Sequence, residues 1–183
     1  LCSTLFPYTT LFRSNNLTYA PEQIVVSNGA KQSVCNVVMC IVDKDDEVII
    51  PTPAWVSYVE MVKLAEGKSV LVNAGIEQDF KITAEQLEAA ITPKTKAIIL
   101  CSPSNPTGSA YTKEELASLA AVLAKYPRIV VIADEIYEHI NYVGKHESIA
   151  QFPEIADRVA VINGVSKAYA MTGWRIGFVA GPE

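Results

Sequence analysis

Seven short β-rich runs separated by helix-like segments constrain the fold of this chain more than any other feature. They are "QIVVS" (23–27), "EVIIP" (47–51), "SVLVN" (69–73), "KAIILC" (96–101), "RIVVIA" (128–133), "RVAVIN" (158–163) and "RIGFVAG" (175–181). Runs that are apolar on both faces belong in a sheet covered on both sides. Between most of them lie helical patterns. Val34, Val37, Val38 and Ile41 recur at helical spacing within 30–42. Thr83 with Gln86, and Thr112 with Glu115, form capping boxes that open two further helices. The second of these continues with Leu116, Leu119, Ala120 and Leu123 on one face. Such alternation predicts an α/β fold with a mostly parallel sheet between helical layers. The gap from 163 to 175 is barely long enough for a helical crossover, so the last strand is expected to run antiparallel.

With 183 residues, half of them hydrophobic, the chain can bury one sizeable core. Its net charge is −5 and its fifteen basic residues are scattered, which argues against nucleic acid and anionic membrane as partners. No apolar run approaches the length of a membrane span. Cys2, Cys35, Cys40 and Cys101 have neither metal-site spacing nor the density of a disulfide scaffold. They are expected to be reduced thiols of a cytoplasmic protein, three of them small core residues. His139 and His146 lack partners at metal-ligand spacing, so no metal site is expected. The opening "LCSTLFPYTTLFRS" has Arg13 as its one charge and lacks the parts of a signal peptide. Residues 1–14 are therefore expected to be foreign to the fold, the alternative being a native arm, and mass spectrometry of the native protein is expected to lack them, with 15–183 forming the domain.

In open α/β sheets, ligands bind beyond the carboxyl ends of the strands. After the first run comes "SNGAKQS", a small-residue turn entering a helix, whose N–H groups suit a phosphate. "SPSNPTG" with Asn105 follows the fourth run, and "ADEIYEH" with Asp134 and Tyr137 the fifth. "NGVSK" with Lys167 follows the sixth, and Arg175 opens the seventh. Trp55 starts a helix in "PTPAWVSYVEM". Each residue has an ordinary structural use taken singly: a turn, a helix cap, a packed aromatic, a solvated lysine. Their convergence on one sheet edge is what points to a site.

"NGVSKAYAMTGWRIG" resembles the lysine signature of the class I pyridoxal-phosphate aminotransferases, with a small residue, Lys167, then glycine, arginine and glycine at the family's intervals. "SPSNPTG", "ADEIYEH", "SNGAKQ" and "PAWVSY" resemble its other signatures, in the same order. The resemblance covers residues 15–183 and is strongest to bacterial aspartate aminotransferases. It implies the three-layer αβα large domain of fold type I, with seven strands, one of them antiparallel. It also implies pyridoxal 5'-phosphate as cofactor, held by Lys167 as a Schiff base. The freed lysine would then shuttle a proton, a task suited to an amine whose pKa shifts readily.

By the same resemblance, Asp134 pairs with the ring nitrogen, while Tyr137 and Asn105 bond the ring's phenolic oxygen. Trp55 stacks on the ring, with Trp55 and Asn105 also facing substrate. Arg175 forks onto the phosphate, joined by Gly29, Ala30 and Lys31, with Ser166 a lesser phosphate ligand. Where some family members have a phosphate-binding serine, this chain has Gly164. Cis bonds are expected at Thr52–Pro53 and Asn105–Pro106.

The implied reaction moves the amino group of aspartate, or a similar amino acid, onto 2-oxoglutarate in a cytoplasmic homodimer. Aromatic, alanine or prephenate specificity, an elimination reaction, and a non-catalytic domain that kept the cofactor fold are the alternatives. The family's smaller domain, its carboxylate-binding arginine and a tyrosine from the partner subunit are expected outside 15–183. The chain is thus expected to be an incomplete large domain, inactive alone.

Overall fold

Strand β5 (Val130–Asp134) shows how the sheet is built: Val131 and Ala133 face one side and Ile132 the other, all almost fully buried. Burial on both faces follows from the uninterrupted apolar run and fits a central parallel strand. The structure, a computed structural model, describes residues 15–182. The expectation about residues 1–14 falls outside that range.

One seven-stranded sheet organises the described chain, in the order β1-β7-β6-β5-β4-β2-β3. The other strands are β1 (Ile24–Asn28), β2 (Glu47–Thr52), β3 (Lys68–Asn73), β4 (Thr95–Cys101), β6 (Val159–Gly164) and β7 (Ile176–Ala180). Only β7 runs against the rest, pairing antiparallel with β1 and β6. The short β6–β7 connection holds a 3-10 turn at Thr172–Trp174 and no α-helix, as its length requires.

Among the described residues four α-helices clothe the sheet: α1 (Ala30–Ile41), α2 (Ser57–Leu64), α3 (Ala84–Ala90) and α4 (Lys113–Ala124). On one face, Val34 and Val38 of α1 and Tyr58, Met61 and Val62 of α2 pack on Val48, Ile50, Ile99, Ile132 and Ile162. On the other, Leu87 of α3 and Leu116, Leu119 and Leu123 of α4 pack on Ile49, Ile98, Leu100, Val131 and Val161. Both predicted capping boxes form: the Thr83 hydroxyl accepts from Gln86 N and the Thr112 hydroxyl from Glu115 N. Each satisfies N–H groups that a helix start leaves open. The link from β5 to β6 carries only 3-10 turns.

Cys101 packs against the core, but Cys40 lies exposed on α1, contrary to the expectation of three core thiols. An apolar helix residue need not be buried when it falls off the inward stripe set by Val34 and Val38.

Glycine is required where β7 passes the β1–α1 turn. A Cβ on Gly177 would collide with Ala30 N and Gly29 C, so the turn can lie against the strand only because no side chain intervenes. Gly177→Ala is expected to lower stability by about 1–3 kcal/mol through overpacking. A denaturant midpoint equal to wild type would contradict that.

Candidate active site

The carboxyl ends of β1, β2, β4, β5 and β6, with the start of β7, surround a cavity of about 300 Å³. That size suits a small-molecule site. Asp134 ends β5 inside its wall, only 4% exposed. Its Oδ2 accepts a hydrogen bond from the Tyr58 hydroxyl at 2.5 Å and its Oδ1 one from Ile136 N at 3.3 Å. Neither partner is cationic. Burial accordingly raises the carboxyl above its ordinary range, against the lowering influence of those two donors. A buried acid lining a cavity without a positive partner is matched by a ligand that brings an N–H cation.

Lys167 and Tyr137 line the same cavity. Lys167 sits in the turn after β6, its Nζ 5.6 Å from the Tyr137 ring centroid. The Tyr137 hydroxyl accepts a long hydrogen bond from Asn105 Nδ2 at 3.5 Å. Trp55 closes another side, edge-on to Tyr58 with centroids 5.4 Å apart, while Lys31 Nζ stands 4.8 Å from the Trp55 centroid. The Thr52–Pro53 and Asn105–Pro106 bonds are cis as expected, and Ser102–Pro103 is also cis.

Arg175 forms the far end. Its φ of 52° is left-handed, a conformation that costs a residue with a Cβ about 1–2 kcal/mol. Nη1 donates to Thr172 O at 2.8 Å and Nη2 to Asn28 O at 3.3 Å, which hold the guanidinium beside the start of α1. A Cβ on Gly29 would sit on that guanidinium, and the φ of Gly29, 82°, also favours glycine. Ala30, Lys31 and Ser166 complete this end of the wall. Helix starts and guanidinium forks both favour anions. The donor set therefore fits a ligand with an anion at one end and an N–H cation at the other.

The structure gathers nine predicted residues on the cavity wall: Ala30, Lys31, Trp55, Asn105, Asp134, Tyr137, Ser166, Lys167 and Arg175. Gly29 lies behind Arg175 instead. Sequence reasoning missed Tyr58, Ile136 and Thr172, which also line it. For Tyr58 a signal existed, since it follows Trp55 by three residues, a spacing that shares a helix face. Gly164 has no room for a side chain, because a Cβ would lie 2.7 Å from Ile176 O.

Behind the cavity, Glu135, Glu138 and His146 are buried together, with ligand-type atoms within 4.8 Å of one another. Sequence spacing had given these histidines no partners. The Glu135 carboxylate faces His146 Nε2 at 3.0 Å and accepts from the Ser148 hydroxyl at 2.6 Å. Asn15 Nδ2 donates to Glu138 at 2.7 Å, and His139 Nε2 lies 2.9 Å from its other oxygen. These contacts hold the β5–β6 link together and join it to Asn15. Burial opposes charge on His146, but the Glu135 carboxylate raises its pKa overall.

The chain matches the family described as "Aminotransferase class I and II" over residues 3–183. A Rickettsia bellii protein named a probable aspartate/prephenate aminotransferase is 54% identical over 173 residues, 93% of this chain and 43% of that protein. The aspartate/prephenate aminotransferase of Nitrosomonas europaea is 52% identical over 93% of this chain and 43% of its own length. The crystal structure of the aspartate aminotransferase from Rhizobium meliloti superposes with a TM-score of 0.91 at 48% identity, covering 93% of this chain and 43% of that one. The fold is the α/β fold of fold type I aminotransferases. The chain belongs to the class I and II aminotransferase family. It spans less than half the length of the curated relatives named here.

Burial raises the Glu138 carboxyl to about 7 from its ordinary 4.5. The folded state thus binds more protons than the unfolded chain across that window, and stability falls as pH rises through it. Glu138→Gln is expected to make the fall between pH 4.5 and 7 shallower; denaturant midpoints that keep the wild-type slope would contradict this.

Proposed function

We propose that the cavity is a pyridoxal 5'-phosphate site. The intact protein would use it to move an amino group between aspartate, or a similar amino acid, and 2-oxoglutarate. One observation carries the reading: Asp134, Lys167 and Arg175, from three different strand ends, line one cavity of about 300 Å³. The family is generally pyridoxal-phosphate-dependent, and the names of the relatives support aspartate as one substrate. The domain reading is likewise proposed: residues 15–183 as a cofactor-binding large domain, working in a cytoplasmic homodimer. Among the described residues no helix is long and apolar enough to cross a membrane.

Each side chain has a task that its surroundings support. Arg175, fixed by two carbonyls, grips the phosphate with the first turn of α1, where Ala30 and Lys31 lie. Asp134 accepts the ring N–H and compensates its charge. Trp55 covers a face of the ring and bounds the substrate side with Asn105. Tyr137 and Asn105 offer hydrogen bonds to the ring's oxygen, and Ser166 adds a polar group near the phosphate. Lys167 would hold the cofactor through its Nζ and, once freed by a substrate amine, would hold and move the proton at the substrate's α-carbon. The cofactor, once bound, supplies the electron sink that makes that proton removable.

Pyridoxal phosphate added to the intact protein is expected to give a visible absorption band, and borohydride to leave a reduced adduct on Lys167. Lys167→Ala should abolish the adduct and lower transamination by about 10²–10⁴-fold. An adduct that persists in Lys167→Ala, or that maps to another lysine, would remove the residue from this role.

A further inference from the structure

We propose that Tyr58 is a positioning residue for this site: its O–H fixes the Asp134 carboxylate in the orientation and charge state that a ring N–H requires. The inference rests on the pyridoxal phosphate reading and adds a residue that reading did not include.

The geometry is specific. Tyr58 lies in the first turn of α2, 2% exposed, and its hydroxyl reaches across the sheet edge to Asp134 Oδ2 at 2.5 Å. The second oxygen is held by Ile136 N, so rotation of the carboxylate would break both bonds. The same phenol ring meets Trp55 at an interplanar angle of 87°. One residue thereby braces both the acid and the aromatic wall.

The chemistry gives the contact a direction. Burial and the neighbouring Asp134 charge both raise the Tyr58 phenol well above its ordinary value, so it stays protonated and acts as a donor. Burial likewise pushes the Cys101 thiol, beside this pair, up to about 12, which leaves it neutral. Burial and the nearby Glu135 carboxylate favour a protonated Asp134, and the Tyr58 hydroxyl is the largest influence against that. Without the hydroxyl, Asp134 keeps one backbone donor in a buried setting. It then takes up a proton more readily and accepts a ring N–H less well.

The test compares wild type, Tyr58→Phe, Asp134→Asn and the double variant of the intact protein, each loaded with pyridoxal phosphate. The readouts are cofactor affinity and the pH midpoint of the visible band. Tyr58→Phe keeps the ring against Trp55 and removes only the bond. Affinity is expected to fall by about tenfold. The midpoint is expected to rise by about one unit, because a ring that loses its positive charge makes the lysine-linked nitrogen more basic. In the Asp134→Asn background, Tyr58→Phe should add little, as coupled residues do. Additive losses with an unmoved midpoint would mean a merely structural tyrosine and overturn the proposal. Should the phenylalanine variant fail to fold, 3-fluorotyrosine at position 58 makes the same bond with a more acidic donor. The midpoint should then fall, and an unchanged one overturns the proposal. A wild-type protein that forms no adduct refutes the cofactor reading itself, whereas an adduct in wild type with a wild-type titration in Tyr58→Phe refutes only the role of Tyr58.

Discussion

The Asp134 carboxyl group is buried at the end of a central strand, and the groups around it set how readily it carries a charge. Left alone it would hold a proton, since burial in an apolar sheet favours the neutral acid. Two hydrogen bonds from uncharged donors oppose this without supplying a counter-charge. The acid is therefore held ready and left uncompensated, a condition that a cationic ligand group relieves. Structural acids in cores are ordinarily paired, as Glu135 is with His146 nearby.

Strand β7 supplies the second constraint. Because it runs antiparallel, its first residues lie on the rim where the parallel strands end, so Arg175 arrives opposite Asp134's side of the wall without a long connection. The glycines that permit this are positional. Gly177 lets the strand pass under the β1–α1 turn, and Gly29 leaves room for the guanidinium. A guanidinium end and an acid end thus emerge from the same sheet topology, with Lys167 in the turn between β6 and β7.

Much of this was legible in the sequence because it is local. Capping boxes, the apolar stripe of α1 and the uninterrupted strand runs depend on neighbours within a few residues, and they formed within a residue or two of the expected places. The antiparallel sense of β7 followed from chain length alone. Nine candidate residues were legible because each lies at or near one end of a strand, so the sheet itself brings them together. For Tyr58 the spacing from Trp55 offered a shared face but not the bond to Asp134, which lies 76 residues away. The Glu135–His146 contact was hidden for a related reason: the link between them has no helix or strand period from which a shared direction could be read. Cys40 shows the opposite failure, an apolar-looking residue that falls off its helix's buried stripe.

The proposed site is one clasp, formed by distant loops, for a flat ring with a cation at one end and a phosphate at the other. Electron density from crystals of the intact protein grown with pyridoxal phosphate tests it most directly. The account predicts a ring nitrogen within about 3 Å of Asp134 and a phosphate on the Arg175 guanidinium. A ligand bound in the reverse orientation, or seated away from Asp134, would contradict it.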